Sequence, residues 1–384
     1  MNKKIRTENK SFVWEKGEKF TAHGINMVCK DKAKDYIGDY TVEDFRFLKE
    51  NGFNLIRLGV IWDGAEPEPG KYDEGYFKKL DRIIDMAAAE SIPVFLDMHQ
   101  DLYGVVFEDG APEWATVTDD EEHIRTGLWS ESYLLSAAVQ HAFDNFWKNV
   151  PAPDGKGIRD HYRELWKFIA KRYAKNPYVI GYDLMNEPFP GSDGAKIFET
   201  IMNIAGEGGM ANLEDEAKIG ELISYIAPIT AAFETEILTP FYSEVAAAIR
   251  EEDPDTIIML ESNYFANAAI PTALSPAKDK DGREIPNQAY VPHGYDILVD
   301  TEDYGAGGFE RVGFIFQTLF EGAERVGLPV IIGEWGCYPN ASAAEKAQAE
   351  FLLGLFKERG IGNVYFDFSH IKDGGILETL KKMR

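Results

Sequence analysis

Apolar and polar positions along the chain follow two different periods. Short, nearly uncharged apolar runs are typical of buried parallel strands, and they alternate with longer segments whose apolar residues recur every three or four positions, as in amphipathic helices. The apolar runs predict strands at Phe20–Met27, Asn54–Val60, Pro93–Met98, Tyr178–Glu187, Thr256–Glu261, Ala289–His293, Pro329–Glu334 and Gly362–Phe368. The amphipathic segments predict helices from Thr41 to about Glu50, then at Glu74–Glu90, Arg159–Tyr173, Ile219–Arg250 (broken near Pro228), Phe309–Val326, Ala343–Arg359 and Gly375–Arg384.

Eight strands that alternate with helices predict a (β/α)8 TIM barrel. A doubly wound open sheet is the alternative, but it usually has fewer strands, and no glycine-rich phosphate-binding turn follows the first strand here. We expect a single barrel domain over residues 1–384, with long insertions after strands 3, 4 and 5. Barrel enzymes bind substrate at the C-terminal ends of their strands, so these insertions would form substrate loops.

Two of the predicted strands end in a glutamate. Strand 4 leads into Asn186-Glu187-Pro188, and strand 7 ends at Glu334. Strands 4 and 7 lie opposite each other in a barrel, so the two carboxyl groups would face each other across its mouth. Such a pair can hydrolyse a glycoside, with retention at a separation of about 5 Å and inversion at roughly 6.5–9.5 Å. The sequence leaves that separation open, and each glutamate alone would also suit a helix N-cap or a salt bridge.

Other polar residues at strand ends would converge on the same cavity. They are Lys30, Arg57, Asp97, His99, Asp101, Asn186, His293 and Tyr295. Arg57 would hold a nucleophilic carboxylate ionised, and Tyr295 would donate to the same group. Asn186 would bind the hydroxyl beside the reacting carbon.

The remaining candidates each allow two roles. His99 and His293 would bind sugar hydroxyls or position Asn186. Lys30, Asp97 and Asp101 would bind outer hydroxyls by charge-assisted hydrogen bonds, unless the two aspartates form a structural ion pair with the lysine.

In this order, with one motif per barrel strand, the residues resemble glycoside hydrolase family 5. The motifs are Arg57, Asp97-Met98-His99, Asn186-Glu187-Pro188, His293-Gly294-Tyr295 and Gly333-Glu334-Trp335-Gly336. The resemblance covers essentially the whole chain. It implies a retaining mechanism in which Glu187 is the acid/base and Glu334 the nucleophile, with no metal ion and no organic cofactor.

Within that family the chain is most similar to endoglycoceramidases and related enzymes that cleave glycosylceramides. The similar segments are Asn26–Lys30, Asp97–Asp101, Ala142–Trp147 and Gly181–Pro188. In that group a lysine after strand 1 and two aspartates around the strand 3 histidine contact the sugar, which implies this role for Lys30, Asp97 and Asp101. A tryptophan in the insertion after strand 3 lines the sugar site, and Trp129 is the implied counterpart.

The chain departs from the family pattern at two points. Family members usually end strand 8 in a tryptophan on which the sugar stacks, whereas Val364–Phe368 contains none, so Phe366 or Phe368 would substitute. Endoglycoceramidases also usually carry a C-terminal β-sandwich, and we expect none here because the sequence stops after the eighth helix.

Composition narrows the class of partner. The net charge of −25, from 65 acidic and 40 basic residues, argues against nucleic acid, since phosphate binding needs a basic surface. It suits a neutral glycoside or glycolipid. The two cysteines, Cys29 and Cys337, have no metal-ligand spacing. No transmembrane run and no signal-peptide core follow from the sequence, so we expect a cytoplasmic protein, although a secreted protein with its signal peptide removed would have the same pattern.

These observations predict a retaining β-glycosidase that acts on a glycosylceramide-like glycolipid. Two alternatives stay open, an endo-β-1,4-glucanase or mannanase of the same family and a sugar-binding barrel that has lost catalysis. The sequence predicts neither the sugar nor the oligomeric state.

Overall fold

The computed structural model describes residues 4–205, 216–299, 301, 304, 309–373 and 375–383. Its strands are β1 (Ile5–Glu8), β2 (Ser11–Trp14), β3 (Lys19–Phe20), β4 (His23–Met27), β5 (Leu55–Ile61), β6 (Val94–His99), β7 (Val179–Asp183), β8 (Ile257–Leu260), β9 (Gln288–Tyr290), β10 (His293–Gly294), β11 (Ile331–Ile332), β12 (Glu334–Trp335) and β13 (Gly362–Tyr365). Its α-helices are α1 (Val42–Glu50), α2 (Trp62–Ala65), α3 (Glu74–Ala89), α4 (Ser132–Leu135), α5 (Ala137–Trp147), α6 (Ile158–Tyr173), α7 (Asp193–Ala205), α8 (Glu216–Phe233), α9 (Thr239–Glu252), α10 (Phe309–Val326), α11 (Ala343–Arg359), α12 (Phe368–Asp373) and α13 (Leu377–Leu380).

The central feature is a parallel sheet that curves into a barrel. Within the described ranges its eight strands run in the order β11-β13-β4-β5-β6-β7-β8-β9. A parallel bridge between Tyr290 and Val330 joins β9 to β11 and brings the two ends of the sheet together. The short pair β10 and β12 extends the sixth and seventh barrel strands, and its register sets His293 opposite Glu334. The predicted (β/α)8 barrel is therefore confirmed.

Burial explains why the strands are apolar and where polar side chains collect. Every residue of β4 to β8 is buried, and the barrel interior is filled at its lower end by side chains such as Leu55, Phe95 and Ile257. The N-terminal antiparallel sheet β1-β2-β3 covers that end and adds Phe12 and Phe20 to the same cluster. The buried polar residues discussed below lie at the opposite, C-terminal end of the strands.

Several predicted elements have different bounds in the structure. The sixth and seventh strands are each interrupted, because Pro292 cannot donate a backbone hydrogen bond and Gly333 donates instead to the Pro292 carbonyl at 2.9 Å. The fourth strand ends at Asp183 rather than Glu187. The long helix passes through Pro228 and is interrupted later, by a π-helical turn that begins at Glu234.

The insertions contain helices of their own. The segment after the third barrel strand carries α4 and α5, and the segment after the fourth carries α7 and the start of α8. The segment after the fifth opens with a 3-10 turn at Tyr264–Ala268. Among the described residues, no helix combines the length and the apolar character that crossing a membrane requires.

Candidate active site

The two strand-end glutamates lie together at the mouth of the barrel. Glu187 sits in the loop after β7, and Glu334 begins β12. Nδ1 of His293 lies 2.9 Å from Oε1 of Glu187 and 3.6 Å from Oε2 of Glu334. One carboxylate oxygen of each glutamate lies within 4.8 Å of the other. This bound lies near the separation of about 5 Å between the carboxyl groups of retaining glycosidases and below the roughly 6.5–9.5 Å of inverting ones.

Arg57 organises the floor of the site from β5. Its guanidinium is fully buried and is surrounded by acceptors from several strands. These acceptors are Asn26, Asp97, Asp183, Asn186, Glu261 and Glu334. A fixed fork of N–H donors suits such a ring of acceptors better than an ammonium group would. Burial alone would lower the pKa of Arg57, but the surrounding carboxylates raise it well above the usual value.

The carboxylate of Glu334 has its orientation fixed by two donors. Arg57 Nη1 donates to its Oε1, and the Tyr295 hydroxyl donates to its Oε2 at 2.7 Å. Burial and the charge of Glu334 raise the pKa of the Tyr295 hydroxyl, so it stays a donor at neutral pH. The predicted partnership of these three residues is thus present in the structure.

Glu187 is held in an unusual conformation. Its φ of 44° lies in the left-handed region, which costs free energy for any residue with a Cβ atom and has to be stabilised by its surroundings. Its backbone N–H donates to Oε2 of Glu261 at 2.9 Å, and its Oε1 accepts from Nδ2 of Asn267 at 2.7 Å. Burial raises the pKa of Glu187 to about 7, against the opposing effect of His293. A carboxyl group so poised can give and take a proton near neutrality.

A second cluster lies beside the pair and joins three of the predicted residues. The Lys30 ammonium is ion-paired with Asp101 and lies 3.7 Å from Oδ2 of Asp109. It also lies 5.8 Å from the centre of the Trp129 ring, which is 37% exposed. Burial opposes ionisation of Asp101, but the charge of Lys30 lowers its pKa to about 2. The ion pair and a sugar-facing role are therefore compatible for this lysine.

Of the two phenylalanines proposed to replace the missing tryptophan, Phe366 is the one near this cluster. Its ring centre lies 5.9 Å from Nζ of Lys30, and its side chain is half-buried. Phe368 is buried and packs edge-on against Tyr40 at 5.7 Å instead. The structure therefore places Phe366, rather than Phe368, beside Lys30.

The structure corrects the prediction for Asp97. Its side chain is fully buried, with Oδ1 2.9 Å from Nη2 of Arg57 and Oδ2 2.8 Å from Nδ1 of His99. Both oxygens face protein groups, so direct contact with an outer sugar hydroxyl is not available to it. Neither does Asp97 pair with Lys30, which was the alternative. Instead, Asp97 and Asp101 together raise the pKa of His99 to about 10, although burial alone would lower it.

Asn186 is anchored on both sides of its amide. Its Oδ1 accepts from Arg57 Nη2 at 2.8 Å, and its Nδ2 donates to the backbone carbonyl of Gln100 at 3.0 Å. His293 contacts the two glutamates and Glu261 rather than Asn186, which excludes the predicted option that it positions the asparagine.

The site contains more carboxyl groups than cations. Among the described residues, seven buried carboxyl groups face four basic groups. The carboxyl groups are those of Asp97, Asp101, Asp109, Asp183, Glu187, Glu261 and Glu334. The basic groups are those of Lys30, Arg57, His99 and His293. Burial raises the pKa of Asp109 to about 6 and the pKa of Asp183 well above its usual value. Each raised pKa reduces the net negative charge that the cluster carries at a given pH.

In the part of the chain that the structure describes, His, Asp and Glu side chains have the spacing of a metal site in three places. The combinations are His99/Asp101/Asp109, Asp183/Glu261/His293 and Glu187/His293/Glu334. In the first, the Lys30 ammonium already supplies the positive charge, and in the second the Arg57 guanidinium does so. The third is the facing glutamate pair, where an ion would occupy the space for a sugar carbon.

Several residues of the site were not among the predicted ones. Glu261 ends a predicted strand, just as Glu334 does, so the same strand-end signal would have found it. Asp183 is a charged residue inside an otherwise apolar strand, which is a recognisable signal of a buried partner. Asp109 and Asn267 lie inside insertions with no periodic pattern, and nothing in the sequence points to them.

Comparison with known proteins places the chain in a family. Residues 13–371 match the model of the family described as cellulase, glycosyl hydrolase family 5. The chain is similar to an endoglycoceramidase from Cyanea nozakii, with 31% identity over 216 residues, and to endoglycoceramidase I from Rhodococcus hoagii, with 32% identity over 183 residues. Among solved structures, endo-glycoceramidase II from Rhodococcus sp. in complex with ganglioside GM3 aligns with a TM-score of 0.76 and 26% identity, covering 96% of this chain and 80% of that one.

The similarity to the two sequence relatives covers only part of each protein. The matched segments cover 49% and 46% of this chain, and they cover 42% and 35% of the two relatives. The family model, in contrast, matches nearly the entire barrel. The chain therefore belongs to glycosyl hydrolase family 5, and it is a glycoside hydrolase.

Proposed function

We propose that this chain is a retaining β-glycosidase that hydrolyses the glycosidic bond of a glycosylceramide-like glycolipid by double displacement. The observation that carries the proposal is the facing pair, in which a carboxylate oxygen of Glu187 lies within 4.8 Å of one of Glu334. Retaining enzymes hold their carboxyl groups about 5 Å apart, whereas inverting enzymes leave space for water.

In the first step, Glu334 attacks the anomeric carbon while Glu187 gives its proton to the leaving oxygen. The bond between that carbon and the oxygen breaks, and a covalent glycosyl-enzyme forms. In the second step, water attacks the same carbon, Glu187 takes the proton from the water, and Glu334 leaves as a carboxylate. The two donors on Glu334 and the raised pKa of Glu187 support this assignment of roles.

The sugar side is assigned to residues that surround the pair. Asn186 would bind the hydroxyl next to the reacting carbon through its second amide N–H. Lys30 and Asp101 would bind outer hydroxyls, and Trp129 with Phe366 would cover the faces of the sugar ring. Lys30 lies within 6 Å of both rings, so the polar and aromatic groups border one space. Stacking on aromatic faces combined with charged hydrogen bonds is suited to a neutral, hydroxyl-rich ligand.

The aglycone side is assigned to the inserted loops. Some of their apolar residues only fold the insertions, because Phe107, Phe189, Phe265 and Ile270 are buried in the core. Those with exposed or partly exposed side chains remain candidates for a lipid-binding groove beside Glu187, and they are Val105, Val106, Phe198, Ile201, Met202 and Tyr264. Trp114 packs on Trp62 at 5.6 Å and is only partly exposed, and Met210 lies outside the described residues. The endoglycoceramidase relatives support a lipid aglycone.

A series of alkyl β-glycosides tests this assignment. We expect kcat/KM to rise with alkyl chain length from butyl to dodecyl, by up to about fourfold per buried methylene, since each is worth about 0.8 kcal/mol. The measurement is made below the critical micelle concentration of each glycoside. A flat response would reject the lipid aglycone.

The alternative, an endo-β-1,4-glucanase or mannanase, gives the opposite ranking of natural substrates. A glycolipid dispersed in detergent and a soluble cello-oligosaccharide or manno-oligosaccharide are compared at equal concentration. The proposal predicts a higher kcat/KM for the glycolipid, and a higher value for the oligosaccharide would assign the chain to the alternative.

The pH dependence of hydrolysis should depend on the leaving group. The pKa of Glu187 is raised to about 7, so the proton needed by the leaving oxygen is present below that pH and is lost as pH rises through it. For an alkyl or phenyl glycoside, kcat/KM should therefore fall above about pH 7. For a 2,4-dinitrophenyl glycoside, whose leaving group needs no proton, kcat/KM should stay level over the same range. Equal declines for both substrates would contradict the acid role of Glu187.

A further inference from the structure

Glu261 joins the acid/base residue to the rest of the site in two ways. It follows β8 directly, and its side chain is 2% exposed. Its Oε2 accepts the backbone N–H of Glu187 at 2.9 Å. Its Oε1 lies 3.3 Å from Nε2 of His293 and 2.8 Å from Nη2 of Arg57. Its own backbone carbonyl accepts from the Tyr242 hydroxyl at 3.1 Å, which anchors this strand end.

Electrostatics favours a proton on the side of His293 that faces Glu261. Oε1 of Glu261 lies 3.3 Å from Nε2, an ion-pair distance without hydrogen-bond geometry, and a carboxylate at this distance stabilises a protonated Nε2. Nδ1 then faces Oε1 of Glu187 at 2.9 Å. One proton is shared across that contact, either as a Glu187 carboxylic acid that donates to Nδ1 or as an imidazolium that donates to Glu187.

We propose that Glu261 is a positioning residue for the reaction, which keeps this shared proton on the Glu187–His293 pair and holds the Glu187 backbone at its positive φ. Its negative charge favours the protonated form of the pair, because an opposite charge at this distance stabilises the charged imidazolium. Its second oxygen provides the acceptor that the Glu187 N–H requires. This inference rests on the proposed acid/base role of Glu187, and it is independent of the lipid aglycone.

Other charged groups also act on the Glu187–His293 pair. Glu334 lies 3.6 Å from Nδ1 of His293 and also favours its protonation. Asp97 and Asp183 act on His293 from β6 and β7. Arg57 opposes them from β5, but it is itself bound by all of these carboxylates. Of this set, Glu261 is the group that contacts both His293 and the backbone of Glu187, so its replacement affects the pair directly.

The variant Glu261→Gln tests the proposal, because glutamine keeps an acceptor for the Glu187 N–H but removes the charge. For a phenyl β-glycoside, we expect the alkaline limb of the kcat/KM profile to move to lower pH by about one unit. For a 2,4-dinitrophenyl glycoside the profile should stay level. Glu261→Asp retains the charge and should return the limb toward its wild-type position, even if the rate stays low.

Glu234→Gln is the matched control. Glu234 is also a fully buried carboxylate, and it anchors the same loop through Asn263, Thr272 and Ala273 without contacting the site. Its replacement should leave the alkaline limb in place, whatever it does to stability. A Glu261→Gln enzyme that is slower with its alkaline limb unmoved would overturn the proposal, since that is the result of a purely structural role.

A measurement on the unmodified protein covers the case in which Glu261→Gln does not fold. In ¹⁵N NMR of histidine-labelled protein, Nε2 of His293 should stay protonated from roughly pH 5 to roughly pH 9. A bare Nε2 within that range would overturn the proposal. The NMR measurement needs no substrate, so it tests the role of Glu261 separately from the reaction. Failure to cleave any aryl glycoside would instead contradict the proposed glycosidase reaction.

Discussion

Replacing Glu334 with alanine is expected to reduce kcat by on the order of 10⁵-fold, since both steps of double displacement need its carboxylate. The measurement is turnover of an activated aryl β-glycoside. Added azide should restore some turnover by attacking the anomeric carbon directly, and the product should be the α-glycosyl azide, because only one displacement then takes place. The control is Glu310→Ala, the same substitution at an exposed helix position, which should behave as wild type.

A Glu334→Ala enzyme that keeps more than about one percent of wild-type kcat would contradict the nucleophile assignment. The same holds if azide gives the β-glycosyl azide in this variant. Either result would mean that another group forms the bond to the sugar.

Replacing Glu187 with alanine should have an effect that depends on the leaving group. Hydrolysis of phenyl or alkyl glycosides should slow by about 10²–10⁴-fold, the usual contribution of a positioned acid. For a 2,4-dinitrophenyl glycoside the first step needs no proton, so the glycosyl-enzyme should form and accumulate. Azide needs no general base, and it should therefore raise the steady-state rate and give the β-glycosyl azide by two successive displacements.

If Glu187→Ala is inactive on the activated substrate and azide has no effect, Glu187 is not the acid/base. Both glycosides are measured with the same enzyme preparation, so the ratio of the two rates does not depend on the fraction of folded enzyme. Loss of folding would lower the two rates together, which separates it from the predicted split.

The fold was predictable from the sequence because burial constrains composition in the same way at every barrel strand. Runs such as Asn54–Val60 and Pro93–Met98 contain almost nothing but apolar residues, since both faces of a barrel strand are covered. The N-terminal sheet of β1 to β3 was not predicted. Its strands are short, antiparallel and only partly buried, so they carry neither a continuous apolar run nor a clear alternation.

The site was predictable where a residue lies at a strand end. His293 and Glu334 follow from that rule, because the topology alone brings strand ends together. Arg57 lies inside β5 instead and reaches the same site with its long side chain. The strand-end rule did not predict the role of Asp97 correctly. A strand places successive side chains on opposite faces and at different depths, and the sequence does not tell which carboxylate reaches the cavity and which one supports its neighbour.

The contacts made by residues of the insertions could not be predicted from the strand-end rule. Asn267 reaches Glu187 from the segment after β8, and Asp109 reaches Lys30 from the segment after β6. Both depend on loop conformations that the packing of the whole insertion determines. The sequence likewise predicted Glu187 at the end of a strand, whereas three residues of irregular backbone separate it from β7 and its own φ is positive.

The central claim, that this family 5 barrel works through a covalent intermediate on Glu334, is tested most directly by mass spectrometry. The enzyme is incubated with the 2-deoxy-2-fluoro analogue of whichever 2,4-dinitrophenyl β-glycoside it cleaves fastest. Fluorine slows both steps, and the good leaving group keeps the first one faster, so the intermediate accumulates. The account predicts a mass increase of one fluoroglycosyl group, located on the peptide that contains Glu334. A label on any other residue, or turnover of the parent glycoside with no label formed, would contradict it.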